Sequence, residues 1–280
     1  MSLAENICLN RGTTGGNLIL PEFAELAHHA GFAGADVDLA WGVQHGAAAL
    51  RDLYAKHGLK YGGWGLPFDW RTDSGTVEGL AVLEKQARLA AELGIDSCCT
   101  WLLPSSDFPL HQNWHIHIQR LSPIAKVLAG HGLRFGLEFV APYHLRRKWK
   151  HEFIFTPMAM LELAADVGSN CGLLIDCFHL HAAGEPMSVM GLIPAEKIVL
   201  VHLNDAPAGA MDSIEDGKRL LPGEGAIDLK GFFAGLSATG YDGPISVEVF
   251  SDALRAMPPA DAATKAWAAT QRVFTAMKSQ

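Results

Sequence analysis

Four short stretches each set one polar, metal-capable side chain among apolar neighbours: LRFGLEF from residue 133, GLLIDCF from 172, IVLVHLN from 198 and ISVEVF from 245. Side chains alternate faces along a strand, so parity tells which way each polar group points. Leu133, Phe135, Leu137 and Phe139 share one face and leave Gly136 and Glu138 on the other. The same parity sets Leu173, Ile175 and Cys177 against Asp176, and Val199, Val201 and Leu203 against His202. It also sets Ile245, Val247 and Val249 against Ser246 and Glu248. Three carboxylates converging in a low-dielectric space repel one another and take up protons unless a cation compensates them. One divalent ion does so directly. An imidazole and three oxygen donors suit an ion that accepts mixed ligation and keeps open positions: Mn²⁺ is the expected ion, with Mg²⁺, Co²⁺ and Zn²⁺ also compatible. A lone inward Glu or His reads more simply as part of a structural network, so it is the set Glu138, Asp176, His202 and Glu248 that points to a metal.

Such a set needs strands that converge. Apolar runs near Ile7 to Asn10, Gly34 to Leu39, Leu59 to Gly63, Ile95 to Thr100, Leu133 to Val140, Gly172 to Cys177, Val199 to Asn204 and Ile245 to Phe250 alternate with longer helical patterns. Eight βα units in succession predict an α/β fold, a (β/α)₈ TIM barrel, as a single domain over residues 1–280. Helix signals are clearest in PEFAELAHHAG, with Pro21 in the first turn and Gly31 as the stop, and in TVEGLAVLEKQARLAAELG, ending at Gly94. Helix, glycine and strand also follow one another at Gly58, Gly132 and Gly240, as left-handed C-caps require. All four polar residues fall near the C-terminal ends of their strands, the end at which barrels carry chemistry. The long segment from Ala206 to Ile227 lies on that side and is expected to be a lid or substrate loop. Trp41, Trp64, Trp70 and Trp101 lie at or just beyond the ends of strands two to four, where a flat ring stacks on a sugar or packs under a loop. Asp205 reads as a partner of the metal site or as an exposed loop carboxylate, and His117 and Arg120 as surface residues of a helix.

A formal charge of -8, with no long basic stripe, argues against a nucleic-acid partner. The densest basic run, Arg146 to Lys150, reads as a solvated loop. The five cysteines sit in or beside apolar runs without a C-x-x-C pair, so neither disulfides nor a thiolate zinc site is expected. No apolar run is long enough for a membrane span, and the first residues lack a basic leader with an apolar core, so a cytoplasmic protein is expected. A homo-oligomer is left open.

The phrases GLEFV, LLIDCFHLHAAG, VHLNDAP, LLPGEGAIDL and GPISVEVF, as an ordered set, resemble the xylose-isomerase-like barrel superfamily of sugar phosphate isomerases and epimerases. In that family the first Glu, the Asp, the His and the last Glu are metal ligands, which the match carries to Glu138, Asp176, His202 and Glu248. His179 resembles the family's substrate-contacting histidine. The stretch DGKRLLPGEGAID looks most like the 2-keto-myo-inositol isomerases and their relatives, by which Arg219 is expected to contact substrate oxygens. His144 and Ala208 stand where the ketose 3-epimerases of the superfamily carry a glutamate and an arginine, which argues against a free-ketohexose epimerase. The resemblance implies isomerisation of a sugar or inosose-type polyol ketone through a metal-bound enediolate, with Glu138 and Glu248 as catalytic base and acid in either order. His179, Arg219, Trp101 and Trp64 are the expected substrate contacts. Two alternatives share the pocket: an inosose or sugar-acid dehydratase or epimerase, and a barrel that binds a sugar without catalysis.

Overall fold

The computed structural model describes residues 3–15 and 17–278. Eight parallel strands form the inner wall: β1 (Ile7–Leu9), β2 (Gly34–Ala35), β3 (Lys60–Tyr61), β4 (Ser97–Leu102), β5 (Arg134–Phe139), β6 (Cys171–Asp176), β7 (Ile198–Leu203) and β8 (Ile245–Val247). Their order around the sheet is β3-β2-β1-β8-β7-β6-β5-β4. The two end strands meet through the segment after β3: Cys99 N donates to Trp64 O at 2.9 Å and Leu66 N to Cys99 O at 2.8 Å. The curl thereby closes into the expected TIM barrel.

Local chemistry sets the helices. Helix α1 (Leu20–Ala30) carries Pro21 in its first turn and stops at Gly31, whose φ of 100° is open to glycine and costly for other residues. Asp38 caps α2 (Leu39–His45) by accepting from Trp41 N, and Thr72 caps α4 (Asp73–Leu93) by accepting from Gly75 N. Gly58, Gly94, Gly132 and Gly240 all take positive φ, the left-handed turn read from the sequence. Helices α3 (Ala47–Lys56), α5 (Leu110–Gly130), α7 (Pro157–Val167), α9 (Leu229–Thr239) and α11 (Pro259–Lys278) complete the outer layer, with the short α6 (Tyr143–Arg146), α8 (Cys177–Ala182) and α10 (Asp252–Arg255) on loops. No helix among the described residues is long and apolar enough to cross a membrane.

The main core lies between strands and helices and includes Phe135, Leu137, Phe139, Leu173, Ile175, Val201, Leu203 and Val247, on the face parity assigns to the helices. Cys99, Leu174, Val199 and Leu200 form a second cluster inside the barrel. Val199 is a correction to the sequence reading, which placed it outward. The pairing of β6 with β7 shifts between Leu173 and Leu174, which face Ile198 and Leu200, so Val199 is the extra residue of a bulge. Space for it comes from Gly136, where an added Cβ would sit 3.1 Å from Val199 Cβ and 2.6 Å from Cys99 Sγ. Beyond the bulge the parity runs as expected, and His202 faces inward opposite Asp176.

His117 is a second correction. It is buried, stacked on Phe153 at 4.7 Å and edge-on to Trp70 at 5.3 Å, and burial pushes its pKa down to about 4. Trp70 itself is core, donating to Thr100 Oγ1, and Trp41 stacks on His45 at 4.1 Å. Arg146 pairs with Glu152 at 2.7 Å, so the basic run is partly tied down.

Candidate metal centre

Glu138 comes from β5, Asp176 from the last residue of β6, His202 from β7, and Glu248 directly follows β8. One ligand atom from each lies within 4.8 Å of all the others. Backbone contacts fix the arrangement: Glu248 N donates to Leu203 O at 3.1 Å, and Asp176 Oδ1 caps α8 through Phe178 N at 2.8 Å. Asn204, which the sequence reading did not single out, donates to Asp176 Oδ1 at 2.9 Å and to Glu248 O at 3.1 Å. With Oδ1 so engaged, Oδ2 is the oxygen that Asp176 turns toward the cluster.

The centre is buried and strongly charged. His202 Nδ1 lies 3.1 Å from Glu248 Oε2, 3.6 Å from Glu138 Oε1 and 3.9 Å from Asp176 Oδ2. Burial opposes protonation of His202, but Glu248 and Glu138 outweigh it and hold its pKa well above the ordinary value. Burial pushes the Glu138 carboxyl up against the pull of His202. Glu248 goes the other way: burial opposes ionisation, yet His202 and Arg219 hold it well below the usual carboxylate range. Glu138 Oε1 and His202 Nδ1 are buried without a hydrogen-bond partner among the described residues. Buried polar atoms are normally satisfied, and these two point at a shared centre beside two further carboxylates, so the donor set fits a divalent cation.

Arg219 reaches the centre from the 206–227 loop. The residue is 2% exposed, and its guanidinium lies 2.7 Å from Asp176 Oδ2, 3.0 Å from Glu248 Oε2 and 2.7 Å from Asp216 Oδ1. Both ends of the loop are held by Asp205, which is buried and accepts from Ala206, Gly223, Gly225 and Ile227 backbone N–H groups at 2.9 to 3.0 Å. Asp205 is therefore not an exposed loop carboxylate, and its bonds go to the loop that delivers Arg219 rather than to the four candidate ligands. Asp216 escaped the sequence reading because a loop has no periodicity to reveal it.

His179, in the first turn of α8, places Nε2 3.4 Å from Arg219 Nη2 and 4.0 Å from Glu138 Oε1. A cavity of about 160 Å³ opens beside the cluster, lined by Asn10, Asp36, Trp64, Trp101, Leu174 and Leu200 together with Glu138, His202 and Glu248. Trp64 is buried and donates to Gln86 Oε1 at 3.2 Å, while Trp101, 45% exposed, forms the rim with Arg71 stacked 3.9 Å from its ring. Of the four tryptophans considered, Trp64 and Trp101 line this cavity and Trp41 and Trp70 do not.

Comparison with known proteins places this geometry in a family. Over 141 residues, 49% of this chain and 21% of the relative, the chain is 40% identical to a 3-dehydroshikimate dehydratase of Pseudomonas aeruginosa. Over 131 residues, 46% of this chain and 44% of the relative, it is 30% identical to an inosose isomerase of Halalkalibacterium halodurans. The chain thus spans less than half the length of these two curated relatives. Among solved structures, a xylose isomerase domain protein of Alicyclobacillus acidocaldarius superposes with a TM-score of 0.87 at 30% identity, over 98% of this chain and 99% of that one. The profile of the xylose isomerase-like TIM barrel family matches residues 24–275, and the chain belongs to that family.

Proposed function

We propose that the chain is a divalent-metal-dependent isomerase of a small polyol ketone of the sugar or inosose type, which works by moving a proton at the carbon between the ketone and its neighbouring hydroxyl. The observation that carries this reading is the convergence of Glu138, Asp176, His202 and Glu248 with two buried, unpartnered ligand atoms. These four residues would hold the ion, Mn²⁺ in the first instance; Zn²⁺ is a close second, since a structure at 22% identity with the same fold is described with a bound zinc atom. When bound, the ion supplies Lewis-acid stabilisation of negative charge developing on substrate oxygens.

The protein supplies the rest. Glu138 Oε1, free of hydrogen bonds and made more basic by burial, is suited to take and return a proton. Glu248 Oε2, held ionised by Arg219 and His202, faces the same centre and is suited to guide the proton on the other side of the reacting carbons. His179 and Arg219, 3.4 Å apart and next to Glu138, Asp176 and Glu248, would hold a substrate oxygen, and Trp64 and Trp101, which line the cavity, would cover an apolar ring face. The cavity of about 160 Å³ has room for one small polyol.

A second reading keeps the same first step. The 40% identity to a 3-dehydroshikimate dehydratase favours loss of water after proton removal, in place of proton return. Proton NMR in D₂O tests both readings. The metal-loaded and chelator-stripped protein are each incubated with ketoses, aldoses, inososes and 3-dehydroshikimate. Metal-dependent loss of α-proton signals is expected, and the product spectrum then separates rearranged ketone from dehydrated product. No exchange across the panel at confirmed metal occupancy would sink the proposal.

A further inference from the structure

Asp36 lies just beyond β2, buried, on the wall of the cavity that also holds Trp64, Trp101, His202 and Glu248. Its carboxylate sits in a socket built by three strands. Oδ1 accepts from Ser246 Oγ at 2.7 Å and from Gly63 N at 2.8 Å. Gly62 makes the socket possible, because an added Cβ there would come within 2.7 Å of that same oxygen. Ser246 pairs in register with His202, so the anchored carboxylate is tied to the layer of the barrel that carries a candidate metal ligand. No hydrogen bond reaches Oδ2 among the described residues. A carboxylate has about four acceptor sites, and one kept only for structure would spend both oxygens on the protein.

Resting on the enolisation reading given above, we propose that Asp36 is a substrate-binding residue whose free Oδ2 accepts a hydrogen bond from a hydroxyl of the polyol remote from the reacting ketone. Charge decides what kind of group belongs there. Among the described residues no Lys or Arg lines the cavity, Arg219 being paired with Asp176, Asp216 and Glu248 outside that lining, and Asp36 shares the cavity with Glu138 and Glu248. A carboxylate or phosphate next to Asp36 would be repelled, whereas an uncharged hydroxyl donates to it favourably. The subsite therefore selects the neutral, hydroxylated end of the substrate and leaves any anionic group to the mouth.

The test compares wild type with Asp36→Asn, both Mn²⁺-loaded at pH 8, using 2-inosose as the probe. Asn keeps the acceptor that Ser246 and Gly63 use and replaces the free carboxylate oxygen with an amide. Mn²⁺ affinity by calorimetry should be unchanged and kcat for α-proton exchange nearly so, while KM rises about tenfold, as expected for loss of one charge-assisted hydrogen bond. An unchanged KM in a folded, Mn²⁺-binding variant overturns the role of Asp36 and leaves the enolisation reading standing. If the wild type neither binds nor exchanges inosose, the enolisation reading fails and takes this role with it. Should the variant not fold, a crystal structure of the wild-type Mn²⁺–inosose complex decides: a ring hydroxyl within about 3.2 Å of Asp36 Oδ2 supports the role, and none within about 4 Å overturns it.

Discussion

At the scale of residues, the centre separates two glutamates by their surroundings. Glu138 keeps an unpartnered oxygen and a raised pKa, while Glu248 is held down by Arg219 at 3.0 Å and His202 at 3.1 Å. Glu248→Gln preserves shape and removes a charge, so it should leave the melting temperature near that of the wild type and lower α-proton exchange by at least about 10²-fold. An equally active variant would remove Glu248 from the chemistry. Asp36 yields a prediction about stability alone. Burial pushes its pKa up to about 6, against some lowering by Ser246 and His202. A carboxyl raised in the folded state contributes stability that is full below its unfolded pKa near 4 and is lost as pH rises through about 6. Asp36→Asn has no such proton to lose. Its stability relative to wild type should therefore rise between pH 4 and pH 7, by roughly 2 to 3 kcal/mol, in urea denaturation at a series of pH values.

At the scale of elements, two devices hold the site, and only one had a signal in the sequence. Parity pointed Glu138, Asp176, His202 and Glu248 to one side, because an alternating strand shows its buried face in its residue types. The bulge at Val199 was hidden, since an extra residue inside an apolar run leaves the run apolar. Gly136→Ala should cost about 1 to 3 kcal/mol by crowding Val199 and Cys99, and adding Val199→Ala should recover part of it in urea unfolding. The second device is the Asp205 clamp on the 206–227 loop. Asp205→Ala leaves backbone donors unsatisfied and should cost more than about 3 kcal/mol. Limited proteolysis should then cut within that loop, and Mn²⁺ affinity should change as Arg219 loses its place. Intact resistance to protease would show that the loop is held by other contacts.

At the scale of the whole molecule, the candidate metal centre exists only in the assembled fold. The four candidate ligands lie on, or directly after, four consecutive strands, β5 to β8, so they converge only when the barrel is assembled. An ion that binds the folded chain alone stabilises it by mass action, about 2.7 kcal/mol at one hundred times the dissociation constant. For a chain of 280 residues that is roughly 5 °C in melting temperature. Adding Mn²⁺ to chelator-stripped protein should produce such a rise, and Asp176→Asn should abolish most of it. An equal rise in that variant would place the ion elsewhere.

The sequence by itself determined the barrel, the eight strands and the inward direction of the four donors, because alternation, glycine caps and polar residues at strand ends are local properties of the chain. It also carried the family resemblance, which the match over residues 24–275 bears out. Only the tertiary structure decided which tryptophans face the cavity, that His117 is core, that Asp205 clamps a loop, and that Arg219 lies against Asp176 and Glu248. Each of these depends on partners outside the residue's own strand or helix, and no spacing within one element encodes which group a loop side chain will meet.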